Sequence, residues 1–109
     1  MIEYEWKHLK SENRESGRFF EVLHPDFKEF DMSGKVYDKN DFEGIELHVA
    51  EYEISDFLVY HLAEDCRLCT YTLVDQTQHI KTNRASIWKI YEGDWKLLFH
   101  QGTEKRAPS

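Results

Sequence analysis

The side chains with the most evident chemistry gather near the end of the chain, in RASIWKIYEGDWKLLFHQGT, residues 84–103. Arg84, Ser86, His100 and Gln101 supply a guanidinium, a hydroxyl, an imidazole and an amide among Trp88, Trp95, Leu97 and Phe99. A guanidinium or amide facing an apolar cavity can hold and polarise a carbonyl oxygen. Histidine is the usual general base near neutral pH. Asp56, in EISDFLV, would need burial to act as a base. It has no evident partner, and a solvated or turn-facing position explains it more simply. Cys66 and Cys69 have CxxC spacing, but DCRLCTYTLVD reads as a strand, where residues three apart point to opposite faces. Buried free thiols are therefore expected. His8, His24, His48, His61 and His79 show no metal-binding spacing, and no phosphate-cradling loop or GxSxG elbow is present. The expectation is no metal and no cofactor.

Which of these groups share a face depends on strand register. A two-residue Gly93-Asp94 loop sets Glu92 opposite Trp95, Trp88 opposite Phe99 and Ser86 opposite Gln101, with Arg84 beyond them on the same side. That face grades from apolar to polar, as a ligand pocket does. Tyr71 or Thr72 extends the lining from the neighbouring strand, helix residues such as Trp6, Phe19 or Phe20 close it, and Phe30 is assigned to the same pocket. Ile87, Lys89, Leu98 and His100 fall on the opposite side, a candidate dimer face. A three-residue loop would pair Trp88 with Leu98 and mix charge into both faces. A bulge near Phe99 would reverse the placing of His100, because one extra residue re-aims every side chain after it. The aromatic face reads equally as filled core, and the sequence leaves both open.

Around this hairpin the pattern predicts helices first and strands last. Ile2, Trp6, Leu9 and Asn13 recur at helical spacing. A second short helix, in RFFEVLHPDF, should end before Pro25, and a short strand, FKEFD, should lead into a turn at Gly34. Asp38 is a candidate N-cap for a third helix in KNDFEGIELHV. Segments 51–62, 66–76, 80–91 and 95–101 are β-branched and aromatic with short turns between them, predicting a four-stranded antiparallel meander. The expected class is α+β, N-terminal helices packed on a curved antiparallel sheet.

A chain of 109 residues is long enough for one domain and too short for two ordinary ones. Residues 1–103 are assigned to it and 104–109 to a flexible tail. Aromatic residues make up 15% of the chain, so they must carry much of the core. A net charge of −7 without a basic stripe argues against nucleic-acid binding. The start has no leader-like pattern and no apolar run spans a bilayer. A cytoplasmic protein with no membrane partner is the expectation.

Three blocks, LHPDFKEFDMSGKVYDKNDF, YEISDFLVYHLAEDCRLCTYT and RASIWKIYEGDWKLLFHQGT, resemble the cone-shaped α+β roll of the nuclear-transport-factor-2-like superfamily. That superfamily includes SnoaL-like proteins and ketosteroid isomerase. The closer likeness is to its domain-of-unknown-function 4440 branch, carried chiefly by the last block. The resemblance implies a homodimer and a cavity between helices and sheet, not one activity. Three functions remain in view. The chain is a small-molecule-binding protein with an apolar or amphipathic ligand, an isomerase, dehydratase or cyclase using Arg84, Gln101 or His100, or a protein-interaction module such as a toxin-immunity partner.

Overall fold

A computed structural model describes residues 1–9, 19–43 and 51–105 of the chain. Helix α1 spans Ile2–Leu9 and a single turn, α2, spans Phe19–Val22. Strands β1 (Leu23–Phe30) and β2 (Val36–Asp38) precede a 3-10 turn at Lys39–Phe42, and β3 (Tyr52–Ala63), β4 (Cys66–Asp75), β5 (Ile80–Tyr91) and β6 (Asp94–Glu104) follow. The six strands form one sheet in the order β2-β1-β6-β5-β4-β3. All neighbours are antiparallel except β1 and β6, which run parallel. The sheet is therefore mixed rather than wholly antiparallel.

Strand β1 begins at Leu23, two residues before the proline that was expected to bound a helix. Pro25 sits where the β1–β6 register slips between Leu23 and Lys28. A residue without an N–H is tolerated there because no ladder bond is due. Asp31 organises the turn into β2, its Oδ1 accepting from the backbone N–H groups of Ser33 and Lys35, and Gly34 adopts the left-handed φ of 91°. Asp38 does cap a helix, but only the 3-10 turn at Lys39–Phe42, through a reciprocal box with Asp41. The rest of the third predicted helix, residues 44–50, lies outside the described residues, as does Asn13 of the first stripe.

The inward face of α1 differs from the predicted stripe. Ile2 is 40% exposed, whereas Glu5 and Leu9, one turn apart, are buried. Strand β6 extends to Glu104, paired with Thr82.

The β5–β6 hairpin turns on Glu92 and Gly93, with Tyr91 opposite Asp94. Both turn residues have positive φ, 51° and 81°, as a two-residue turn of the kind matched to strand twist requires. The loop is thus one residue earlier than Gly93-Asp94. A second irregularity follows: Trp88 pairs with Leu97 but Ile87 with Phe99, leaving Leu98 as an extra residue in β6. From there on the register is the one the three-residue loop would have produced, with Ser86 opposite His100.

Glu92 carries a side chain at a position where asparagine or glycine is better tolerated. Glu92→Asn should raise stability by about 0.5–1 kcal/mol, read as a higher urea midpoint. An unchanged or lower midpoint would contradict this account of the turn.

Candidate functional site

The inner face of the sheet, covered by α1, carries aligned rows of side chains. Cys69, Ser86 and His100 lie across β4, β5 and β6 in one row, and Tyr71, Arg84 and Gly102 in the next. Trp88, fully buried, packs with Leu23, Phe27, Cys69 and Leu97 and meets the Tyr4 ring at 5.6 Å. Around Trp88 the face is filled core. Leu9, Tyr71 and Leu73 form a second cluster, joined by Trp6, Tyr52, Ile54 and Phe57. Phe57 reaches this side of β3 because the strand bulges between Ser55 and Leu58.

Between the two clusters sits Glu5, with no exposed surface. Its Oε1 accepts hydrogen bonds from the Tyr71 hydroxyl at 2.7 Å and the Ser86 hydroxyl at 2.9 Å, and its Oε2 accepts from the Trp88 indole N–H. A buried carboxylate is tolerable only when donors replace water. A carboxylate here acts on its neighbours as well. Burial, and then the Glu5 carboxylate, push the Tyr71 phenol well above its ordinary value of 10.0. The same causes in the same order push the Cys69 thiol up to about 12.

Ser86 links Glu5 to His100, whose Nδ1 lies 2.8 Å from the hydroxyl. The other ring nitrogen, Nε2, lies 3.1 Å from Nη1 of Arg84. A guanidinium only donates, so Nε2 accepts and Nδ1 carries the proton. The resulting chain runs in one direction: Arg84 donates to His100, His100 to Ser86, and Ser86 to Glu5. A cation and a carboxylate thus stand at opposite ends of a buried hydrogen-bonded series. Among the described residues no buried side-chain nitrogen or oxygen lacks a partner.

Arg84 is the half-buried end of the series. Its Nε donates to the Thr82 hydroxyl at 2.8 Å, and its guanidinium lies against Gly102, where a Cβ would stand 2.8 Å from Cζ. On the inner face it borders a cavity of about 170 Å³ shared with Met32, Tyr52, Leu73, Asp75, Gln78, Ile80 and Thr82. Arg84 and Tyr71 also line a wider depression of about 520 Å³, whose other residues, among them Asp56, Thr70, Thr72, Asn83, Gln101 and Thr103, follow mainly the outer side-chain rows.

Of the residues singled out from sequence, Tyr71, Arg84, Ser86 and Trp88 share the inner face. Trp6 is half-buried against the Leu9 cluster. The Leu98 bulge reverses the rest. His100 turns inward and is buried, not placed on a dimer face. Phe99 and Gln101 turn outward, and Phe30 goes with them, stacking edge-on against Phe99 at 5.2 Å. Ile87 and Lys89 remain on the outer side, and Leu98 is the bulged residue itself. The side chain of Phe19 lies outside the described residues. Asp56 is exposed on the β3 bulge with a φ of 55°. Cys66 and Cys69 are free thiols, and Cys69 is buried. No group of metal-binding side chains occurs among the described residues. Glu5 was missed. Its one signal was the Glu5–Leu9 spacing between Tyr4 and Trp6, which competes with the more apolar Ile2–Trp6–Leu9 stripe.

Among solved structures the chain is similar to a candidate ketosteroid isomerase from Parabacteroides distasonis, with a TM-score of 0.79 and 19% identity over 96% of this chain and 85% of that one. It is similar also to an NTF2-like protein from Cytophaga hutchinsonii, with a TM-score of 0.75 and 19% identity over 95% and 94% of the two chains. A third, a candidate calcium/calmodulin-dependent kinase II association domain from Exiguobacterium sibiricum, has a TM-score of 0.75 and 18% identity over 98% and 89%. These likenesses show the cone-like α+β fold of nuclear transport factor 2. No protein-family model and no curated protein matches the sequence.

Two predictions follow from the buried network. Glu5→Gln keeps the shape but sets an amide N–H₂ against a donor, so it should cost about 1–3 kcal/mol, measured by urea unfolding. A neutral result would mean that the carboxylate is not the acceptor described. The second concerns alkaline pH. Folding raises the Cys69 and Tyr71 ionisations above their usual 9.0 and 10.0. The unfolded chain therefore loses these protons first, and stability present below pH 9.0 is lost as pH rises toward about 12. Cys69→Ala should flatten that decline, and identical pH slopes for the two proteins would refute the assignment.

Proposed function

We propose that this chain binds a small amphipathic molecule in the inner cavity beside Arg84 and acts as a homodimer. One observation carries the reading. Arg84 borders an inner-face cavity together with Met32, Tyr52, Leu73 and Ile80, and among the described residues its guanidinium has no ion-pair partner. A few orienting polar groups on an apolar wall are the ordinary make-up of a ligand site. The volume of about 170 Å³ lies below the range of about 300–1,000 Å³ usual for drug-sized ligands, which favours a small occupant over a steroid. The block Arg84–Thr103 supports a place in the domain-of-unknown-function 4440 branch. The two free thiols accord with a reducing, cytoplasmic setting, and among the described residues no helix is long and apolar enough to cross a membrane.

The dimer reading rests on the outer face. Leu58 and Leu62 are each 56% exposed on β3 and Tyr60 is 47% exposed. Tyr60 shares its row with Leu68, Ile87 and Phe99. A contiguous apolar surface of this kind favours a second copy of the chain, and a similar fold serves the candidate association domain described above. The second functional reading, an isomerase, dehydratase or cyclase, draws on the same cavity, where Asp75 and Arg84 stand on one lining. There Arg84 would polarise a carbonyl.

Thermal-shift and NMR titration against small amphipathic acids, alcohols and ketones should produce saturable shifts at Tyr52, Leu73 and Arg84. Saturable binding confined to the outer face, or none at all, would refute the cavity reading. Sedimentation should show a dimer that Tyr60→Glu converts to monomer. A parent protein that remains monomeric at high concentration would refute the dimer.

A further inference from the structure

We infer that the ligand of the inner cavity carries a carboxylate or a like planar oxyanion, with Arg84 as its anchor and Thr82, His100 and Gly102 as positioning residues. The inference rests on the cavity reading above and gives its ligand a chemical class. Arginine has five N–H donors in one plane. Here the Thr82 hydroxyl takes the Nε proton at 2.8 Å and His100 Nε2 takes one from Nη1 at 3.1 Å. Both acceptors are buried, at 4% and 2% exposure, so they are fixed features of the sheet rather than surface groups that water can replace. No described residue accepts from the remaining hydrogens.

One further feature favours an oxyanion over a neutral polar group. The guanidinium is laid flat by Gly102, where any Cβ would stand 2.8 Å from Cζ and from Nη1. A plane held from two sides loses little rotamer freedom on binding, which is what forked recognition of a carboxylate needs. The cavity wall also carries one carboxylate, Asp75, which opposes an anionic ligand; its Oδ1 accepts from the backbone N–H groups of Thr77 and Gln78. The chain's net charge of −7 opposes an anion only weakly, because salt screens exposed charges beyond about 8 Å. Met32, Tyr52, Leu73 and Ile80 supply apolar wall for the remainder of the ligand. The cavity size calls for a short-chain or single-ring acid.

The test is titration of the full chain with butyrate and benzoate and with their neutral counterparts, butyramide and benzamide, in a buffer free of carboxylate and phosphate. Amide NMR shifts at Thr82, Arg84 and Gly102 report the site. The acids should bind there, and the amides about tenfold more weakly or worse. Arg84→Met should remove the preference. Thr82→Val, which conserves shape, and Gly102→Ala should each lower the acid-to-amide ratio, a quantity that loosened packing alone would not move. Circular dichroism checks that the variants fold. Equal binding of acids and amides at this cavity would overturn the oxyanion class while leaving the small-molecule reading standing. Absence of binding by both pairs and by the wider amphipathic set would overturn both. Parent-like ratios in Thr82→Val and Gly102→Ala would overturn the positioning roles.

Discussion

A carboxylate with no exposed surface, held inside a core of leucines and aromatic rings, is the constraint on which this structure turns. Left without donors, Glu5 would cost several kcal/mol of desolvation. Tyr71 from β4 and Ser86 and Trp88 from β5 supply the donors. The helix cannot slide or rotate on the sheet without breaking those bonds, so α1 is located by polar geometry as much as by Tyr4 and Leu9. This arrangement separates two regions of the inner face. On one side Trp88 and its neighbours are packed solid. On the other, the hydrogen-bonded series leads through His100 to Arg84 and an open cavity.

The series depends in turn on a single extra residue. With Leu98 bulged out of β6, Ser86 faces His100 and Arg84 faces Gly102. Without the bulge, His100 would leave the inner face, and Ser86 would lose the donor that lets it relay to Glu5. The same bulge puts Phe99 and Gln101 on the outer face, where Phe99 meets Phe30 and extends the apolar surface proposed as a dimer contact. One local irregularity therefore divides these residues between the inner and outer faces of the sheet. Bulges commonly re-aim side chains near functional sites, and here the re-aimed group positions the arginine rather than meeting a substrate itself.

Solved structures with the same architecture include an isomerase candidate and an association-domain candidate, so the fold by itself names no activity. In this chain the inner face holds a small cavity whose wall is half apolar and half polar, with one guanidinium held against two buried acceptors and a glycine. That chemistry suits recognition of a compact polar-headed molecule. Both nitrogens of His100 are already engaged, which makes it a support for Arg84 and weakens its case as a general base.

The alternation of Tyr52–Ala63, Cys66–Asp75, Ile80–Tyr91 and the final strand was legible in the sequence because β-branched and aromatic runs and short turns are local signals. So was the capping aspartate at residue 38, and so was the common face of Arg84, Ser86 and Trp88. Three things were not. The parallel pairing of β1 with β6 joins segments separated by most of the chain, and no local pattern encodes it. The Leu98 bulge reflects how β6 accommodates neighbours on both sides, so the face of His100 depended on contacts beyond the hairpin. Glu5 looked like one more solvated acid on a charged helix. Only the tertiary structure, by bringing a phenol, a hydroxyl and an indole N–H to one point, made its burial favourable and turned a surface-like residue into the centre of the core.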